Sequence, residues 1–376
     1  MLKRTKVLKY LMLTLTLVCT ACAANVGRHE EEGKLIPLKY AENLKIEELD
    51  DYTKVVIKNP WDTTSTLQTL ILLDKDAEAP AGYSESQIVR IPVERAVIFS
   101  AIHANLIDEL EKGNAIKGLC DVSYIDNRSI IERVKKNSIA DCGNSMTPNV
   151  ESIIKLSPEI VMLSPYENGG GQPKLEQAGL TLIQCADYME TSPLGQAEWM
   201  KLFGRLFGVG ERADSLFGEV ENRYRNLKNK GAEAKYRPSV IWDRIYGNVW
   251  SQPGKDSTIG RMIEDAGGRN PFSETKASAS VNLSPEKVLF EAGDADYWLI
   301  RSAGEKIGKE SLEKDNPLYG QFKAFKNGNL YISDTTTSHI FEDKAFHPDL
   351  LLESLISILH PEIIPSPSKE YFSKIN

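Results

Sequence analysis

The feature that most restricts the fold is one long amphipathic segment near the middle of the chain. Between Glu211 and Lys230, apolar side chains recur at steps of three and four residues: Ala213, Leu216, Phe217, Val220, Tyr224 and Leu227. This spacing places them on one face of an α-helix. With a rise of about 1.5 Å per residue, roughly twenty residues span about 30 Å, the width of a small domain. The segment therefore predicts a rigid rod with one side resting on an apolar surface.

Strand and helix patterns alternate on both sides of this helix. Before it, β-rich runs such as Ala96–Ser100 and Ile160–Leu163 precede helical segments, and after it Ser239–Trp242 and Tyr297–Ile300 belong to a second series. Such alternation predicts parallel sheets with helical crossovers. A chain of 376 residues is long enough to bury two cores. The predicted fold class is therefore α/β, with two Rossmann-like lobes bridged by one rigid helix and preceded by a β meander.

Pattern and composition divide the chain into six parts. We predict a leader at 1–22, a tether at 23–43, the N-terminal β meander at 44–85, a first lobe at 86–208, the connecting helix at 209–232 and a second lobe at 236–376. The tether carries an acidic run at 30–32, which is typical of a solvated segment. The long helix thus predicts a boundary between two globular parts.

The first residues have the pattern of an export signal. Four basic residues between Lys3 and Lys9 precede an apolar run, Tyr10–Val18, that is too short to span a membrane. The run leads into Cys19-Thr20-Ala21-Cys22, where small residues precede a cysteine as in the lipobox of bacterial lipoproteins. We expect lipidation at Cys22, which would anchor the chain to a bacterial membrane on its extracytoplasmic side.

Two other interpretations of the leader remain open. Cys19 is the alternative lipidation site, although the bulky Val18 precedes it. A plain signal peptide cut after Ala21 or Ala24 would leave the chain without an anchor. Every interpretation exports the protein.

Charge and cysteine spacing exclude several partners and sites. The net charge of −8, with acids and bases interspersed, leaves no basic stripe for nucleic acid. The body of the chain has no C-x-x-C pair, which argues against a zinc ribbon or a thioredoxin-type site. In an exported protein Cys120 and Cys142 have the chance to form a disulfide, but spacing alone leaves that question open.

No enzyme motif occurs in the secondary-structure context that its chemistry requires. Gly208-Val-Gly210 has part of the spacing of a dinucleotide fingerprint but follows a helix instead of a strand, and no Gly-x-Ser-x-Gly elbow occurs. We therefore expect no catalytic residues, no cofactor and no metal held by the protein alone. A hydrolase or metalloenzyme on the same scaffold is the alternative.

Four phrases in order along the chain carry a family resemblance. They are Asn149–Leu163, Pro253–Gly268, Leu283–Leu289 and Ala324–Tyr331. The sequence over residues 88–361 resembles the helical-backbone class of ABC solute receptors, which bind cobalamin, iron-siderophores or haem. The resemblance implies two α/β lobes with the ligand between them. It also implies a function. The protein would capture an iron-siderophore or a corrinoid such as cobalamin and deliver it to an ABC permease dimer with its ATPase subunits. We expect this receptor to be a monomer.

The resemblance assigns a role to two glutamates. Glu151 and Glu286 stand where the family presents one exposed carboxylate per lobe to arginines of the permease. Asn149 and Ser284-Pro285, which precede the two glutamates, are typical of helix N-termini. Acidic residues in a first turn also stabilise the helix through its dipole. Docking to the permease and plain helix stabilisation are thus the two interpretations of each residue.

Cleft residues are expected in loops at the carboxyl ends of strands. On position and chemistry we select His103, Asn144, Ser145, Tyr166, Tyr246, Trp250, Ser280 and His339. The aromatic residues among them would stack on a large chelate, and Arg244 and Arg301 are candidates to pair with an anionic group. Haem is disfavoured, because Asn144 stands where haem receptors of this class offer a tyrosine ligand. A surface lipoprotein that captures chelates without an ABC partner is a further alternative.

Overall fold

A mixed sheet forms the N-terminal part of the protein. The computed structural model describes residues 33–62, 64–166, 173–275, 277 and 279–375. The strands run in the order β1-β2-β3-β4-β5, with β2 to β4 antiparallel and β5 parallel to β4. Their bounds are Lys34–Leu35, Leu44–Glu48, Thr53–Lys58, Thr66–Asp74 and Ile88–Ile91. Strand β4 is buried on both faces, because Leu70 and Leu72 enter the main core while Ile71 and Leu73 pack in a smaller cluster.

Two buried carboxylates hold the segment that leads into β2. Glu198 accepts hydrogen bonds from the backbone N–H groups of Lys39, Tyr40 and Ala41 at 3.0, 2.8 and 3.0 Å. Glu190 accepts from the next two backbone N–H groups, each at 2.9 Å. Both glutamates are almost fully buried. The start of the N-terminal sheet is therefore fixed to the helical layer by charge-assisted hydrogen bonds.

The first parallel sheet follows. Its strand order is β12-β11-β6-β7-β8, with all neighbours parallel. The strands are β6 (Ala96–Ile98), β7 (Ile116–Leu119), β8 (Ala140–Asp141), β11 (Ile160–Leu163) and β12 (Leu182–Gln184), and a short hairpin of β9 (Gly143–Asn144) and β10 (Thr147–Pro148) lies between β8 and β11. The connecting helices are α1 (Ala101–Glu109), α2 (Arg128–Lys135), α3 (Val150–Lys155) and α4 (Pro173–Gln177). Strands β6 and β11 are buried along their whole length, as expected for a parallel sheet covered on both faces.

The long helix is present, and it is one continuous element. Helix α7 (Gly210–Ala232) follows α5 (Pro193–Glu198) and α6 (Met200–Leu206), and Gly208 in the left-handed region at φ 69° makes the turn between α6 and α7. Its apolar face is buried, with Ala213, Phe217, Val220, Tyr224 and Leu227 in the main core. It packs against α6 on the N-terminal side and against the last helix of the chain.

The second parallel sheet lies beyond α7. Its order is β13-β16-β17-β18, with β18 antiparallel, and a separate β14-β15 ribbon lies beside it. The strands are Val240–Trp242, Trp250–Pro253, Ser280–Leu283, Tyr297–Ser302, Leu330–Asp334 and Ser373–Lys374 for β13 to β18. The helices α8 to α13 are Thr258–Asp265, Pro285–Ala292, Lys309–Asp315, Lys323–Asn327, Ile340–Phe346 and Pro348–Leu359. Helix α12 packs against α1 and α5, so the second half of the chain contacts the first directly.

The predicted fold class is confirmed: two parallel α/β sheets are connected through one long helix. One main core runs from the N-terminal sheet through α5 to α7 and reaches Trp242 and Leu299 of the second sheet. A second core lies on the other side of that sheet. Within the described ranges no helix is both long and apolar enough to cross a bilayer. The predicted leader and Cys22 lie outside the described residues.

Candidate ligand-binding cleft

A cavity of about 810 Å³ opens where the strands of the two parallel sheets end. Its lining residues follow β6, β7 and β11 of the first sheet and β16 and β17 of the second, and the hairpin turn at Ser145 and helix α12 complete the wall. Loops at carboxyl ends of parallel strands are where α/β proteins bind ligands. The volume lies in the upper range of small-molecule sites, which suits a bulky ligand.

Aromatic and hydroxyl side chains make up much of the wall. Phe99 and Phe341 line it from the two halves, and Tyr124 and Tyr166 line it with exposed rings. Exposed aromatic rings offer flat surfaces for stacking, and each tyrosine adds a polar group at its end. Hydroxyl groups come from both halves: Ser100, Ser123, Ser145, Ser164, Thr335 and Thr336.

The charged lining residues in the described part of the wall are three acids. Oδ1 of Asp121 accepts a hydrogen bond from Asn144 Nδ2 at 2.9 Å. The carboxylate of Asp126 contacts Nδ1 of His339. Glu342, on the first turn of α12, has its Oε2 buried without a hydrogen-bond partner among the described residues. Burial raises the pKa of Glu342, and the nearby Asp126 adds to the effect.

Arg301 and Arg244 are paired with carboxylates, and Lys344 is partly buried. Nε of Arg301 donates to Asp243 at 2.9 Å, and its guanidinium lies 5.3 Å from the centre of the Phe341 ring. Arg244 forms ion pairs with Glu305 and Asp315. Burial, with help from the nearby Arg301, lowers the pKa of Lys344 to about 8. The two arginines that we considered as partners for an anionic ligand therefore already have carboxylate partners.

Four of the predicted cleft residues lie at or next to the cavity. Ser145 and Tyr166 line it. Asn144 is exposed and contacts the lining residue Asp121, and His339 contacts the lining residue Asp126. These four surround the cavity from both halves of the chain.

Trp250 requires correction. It is 0% exposed and packs against Trp298 and Phe322, with ring centroids 5.3 Å away in each case. Its Nε1 donates to the carbonyl of Trp242 at 2.9 Å. Because β14 pairs with β15 and turns this ring inward, Trp250 is a core residue that cannot reach a ligand in the cavity.

His103 is also placed in the core. It is buried beside Phe203 and Phe346, and its Nε2 lies 2.9 Å from Oδ1 of Asp187. Helix α1 turns this side chain towards Phe203 of α6 and Phe346 of α12, and His103 does not line the cavity. The remaining two candidates, Tyr246 and Ser280, are exposed but are not among the lining residues.

Sequence reasoning missed the acidic wall. Asp121 and Asp126 lie in the loop after β7, two and seven residues beyond the strand, so the rule that ligands bind at strand ends points to this loop. Glu342 gives no such signal, because it lies on a helix and reaches the cavity only through the packing of α12.

The two glutamates of the family resemblance are exposed at helix starts. Asn149 caps α3 by accepting from Ser152 N at 3.0 Å, and Ser284 caps α9 by accepting from Lys287 N at 3.2 Å. Glu151 and Glu286 lie in the first turns of these helices and have no ion pair within the described residues. Each is followed by an exposed apolar side chain on the same helix, Ile154 at 45% and Phe290 at 90% exposure.

The cysteines of the described part are free and buried. Cys120, Cys142 and Cys185 carry thiols in the interior. Burial raises the pKa of the Cys142 thiol to about 11 and raises that of Cys120 further. A disulfide between Cys120 and Cys142 is not formed in this structure.

Comparison with known proteins gives one family. Residues 122–336 match the profile of the periplasmic binding proteins. An uncharacterised lipoprotein of Methanocaldococcus jannaschii is 25% identical over 363 residues, covering 90% of this chain and 85% of the relative. An ABC-type Fe3+-hydroxamate transport protein from Saccharomonospora viridis has a TM-score of 0.57 at 17% identity, covering 83% of this chain and 99% of that one. IsdE of Staphylococcus aureus, complexed with haem, has a TM-score of 0.56 at 21% identity, covering 71% and 98%.

The two solved structures share the fold of this protein, and the profile spans more than half of its length. The resemblance noted in four sequence phrases is thereby confirmed at the level of the family. The chain belongs to the periplasmic binding protein family, a family of solute-binding proteins.

Proposed function

We propose that this protein is the extracytoplasmic, lipid-anchored receptor of an ABC importer, which captures an iron-siderophore or a corrinoid and delivers it to the permease. The observation that carries the proposal is the cavity of about 810 Å³ between the carboxyl ends of the two sheets. Its aromatic rings and hydroxyl groups match a bulky ligand with flat faces and many polar atoms. The protein binds its ligand without changing it.

The cleft lies between two halves that already pack against each other. The main core runs continuously from the first sheet through α7 to the second, and α12 packs against helices of the first half. This packing limits how far the halves move apart or together. Affinity therefore depends on a site that is already shaped for the ligand, because little ordering remains to be done on binding.

Docking to the permease is proposed to use Glu151 and Glu286. Both carboxylates are exposed and unpaired within the described chain, and Ile154 and Phe290 add apolar surface one turn further along. One exposed ion pair contributes only about 0 to 1 kcal/mol, so the carboxylates would mainly orient and accelerate the encounter. Burial of Phe290 would add about 1.5 to 3 kcal/mol to the complex.

The membrane anchor is proposed at Cys22. Relatives that are called lipoproteins support this assignment. Replacement of Cys22 by Ser should release the protein from the membrane fraction into the soluble extracytoplasmic fraction. Retention of the Cys22→Ser variant in the membrane would transfer the assignment to Cys19.

The function is tested by measuring permease docking and chelate binding separately. The Glu151→Ala, Glu286→Ala double variant should bind the host's permease complex roughly tenfold more weakly, while its affinity for the chelate stays unchanged. A matched control is the Glu211→Ala, Glu310→Ala double variant, because both residues are exposed glutamates in the first turns of α7 and α10. The control should lose the same small helix-dipole contribution but retain docking.

The outcomes separate the alternatives. Docking that survives the Glu151→Ala, Glu286→Ala substitutions would refute the carboxylate assignment. Chelate binding without any permease partner would favour a surface lipoprotein that captures chelates by itself. Turnover of an ester or phosphate, abolished by a substitution in the cleft, would favour an enzyme.

A further inference from the structure

The wall of the cleft carries charge of one sign. The ionisable carboxylates that line it are Asp121, Asp126 and Glu342, and no lysine or arginine is among the described lining residues. The acids come from both sides: two from the loop after β7 and one from α12. A bound ligand therefore lies between negative groups of the two halves.

The surroundings do not cancel this charge. Arg301 and Arg244 are both engaged by carboxylates of their own, and Lys344 does not line the cavity. His339 pairs with Asp126 from outside the lining. Even with His339 protonated, Asp121 and Glu342 have no ion-pair partner within the described residues.

One acid also has an unused acceptor. Oε2 of Glu342 is buried and has no hydrogen-bond donor within the described residues, while Glu342 itself lines the cavity. A buried acceptor without a donor costs free energy, more so for a charged group. A ligand that brings a positive charge or an N–H group to this atom would remove that cost.

From the acidic wall and the unpaired acceptor on α12 we infer that the cleft selects metal chelates with a net positive or zero charge and rejects anionic ones. The inference rests on the proposed function and names the charge class of its ligand. A ferric trihydroxamate with a terminal ammonium group and a cobalt corrinoid belong to the accepted class. Chelates that carry free carboxylates or a multiply charged ferric catecholate core belong to the rejected class, because they would place like charges together in a site of low dielectric constant.

The experiment uses one chelate in three charge states. A linear ferric trihydroxamate with a free terminal amine is singly positive. Acetylation of the amine makes the chelate neutral and succinylation makes it singly negative, while the iron coordination stays the same. Corrinoids with a water, one cyanide or two cyanides as axial ligands provide a second series. Within any series that binds, affinity should fall about tenfold for each step towards negative charge.

Charge-neutralising variants locate the effect. Glu342→Gln and Asp126→Asn should each reduce the preference for the positive member, and the triple variant with Asp121→Asn should abolish it. The matched control replaces three exposed acids outside the lining, Glu211, Glu219 and Glu310, with Gln. The control changes the net charge of the protein equally and should keep the preference.

The outcomes distinguish the two proposals. Tighter binding of the negative member, or of haem or a ferric catecholate over every positive and neutral chelate, overturns the charge inference and leaves the receptor function intact. An equal loss of preference in the control variant also overturns it, because the effect would then come from the whole surface. Failure to bind any chelate of either charge overturns the proposed function itself. The single substitutions and the charge series on the unmodified protein decide the matter even if the triple variant fails to fold.

Discussion

Replacement of Glu198 tests how the N-terminal segment is held on the helical layer. The side chain of Glu198 is 0% exposed and lies on α5. Its carboxylate accepts three backbone hydrogen bonds from residues 39–41, at 2.8 to 3.0 Å, and pairs with Nζ of Lys201 at 3.0 Å. The substitution Glu198→Ala removes the acceptor from all four donors and leaves Lys201 as a nearly buried cation.

The magnitude follows from these contacts. Removing one member of a buried ion pair costs about 3 to 5 kcal/mol, because the remaining charge stays desolvated. The three N–H groups partly regain water when the segment detaches, so their loss adds little beyond this range. We expect Glu198→Ala to lower the free energy of unfolding by about 3 to 5 kcal/mol, and Glu198→Gln, which keeps one carbonyl oxygen, to lower it by less.

Urea unfolding and amide hydrogen exchange provide the assay. The amides of Tyr40 and Ala41 should lose protection in Glu198→Ala, while strands β6 and β11 keep theirs. Glu219→Ala, at an exposed position on α7, is the control and should change stability by no more than about 0.5 kcal/mol. A loss below about 1 kcal/mol in Glu198→Ala, with both amides still protected, would refute this account of the segment.

Three further predictions follow from buried groups of the described chain. Although burial opposes its ionisation, hydrogen bonds from Lys323, Ser239 and Tyr236 lower the pKa of Asp296 to about 2. The ionised Asp296 therefore stabilises the fold above the usual pKa of an aspartate, and this stabilisation is lost as the pH falls towards 2. Asp296→Asn should lower the free energy of unfolding by about 1 to 2 kcal/mol at pH 7 and by nearly nothing at pH 2, as measured by urea unfolding. Trp250→Ala should lower the free energy of unfolding by about 3 to 5 kcal/mol in the same assay, and a loss below about 1 kcal/mol would contradict its position in the core. The thiols of Cys120, Cys142 and Cys185 should react with iodoacetamide only after unfolding, and one reactive thiol instead of three would indicate a disulfide.

The elements with a strong local signal could be predicted from sequence. The spacing of apolar residues in 211–230 predicts α7, and the apolar runs at Ala96 and Ile160 predict parallel strands, because helix and strand periodicity are properties of neighbouring residues. The caps at Asn149 and Ser284 could be predicted for the same reason.

The residues that were placed wrongly or missed from sequence are those whose side-chain direction is set by tertiary packing. Trp250 occupies a strand end, but only the pairing of β14 with β15 determines that its ring faces the core. His103 depends on Asp187, 84 residues away, and Glu342 depends on how α12 packs against the first half. No local pattern reports such contacts, so strand ends identify the region of the cleft but not the side chains that face it.

The central claim, that the gap between the two sheets holds a metal chelate, is tested most directly by native mass spectrometry. The protein would be purified from its own host, or incubated with the metal chelates recovered from its growth medium, and transferred without denaturation. We expect a retained ligand with the mass and isotope pattern of an iron or cobalt complex of positive or zero charge. A positively charged ligand should be bound more weakly when Glu342→Lys places a cation in the wall. A protein that stays unliganded against every metal complex would contradict the account.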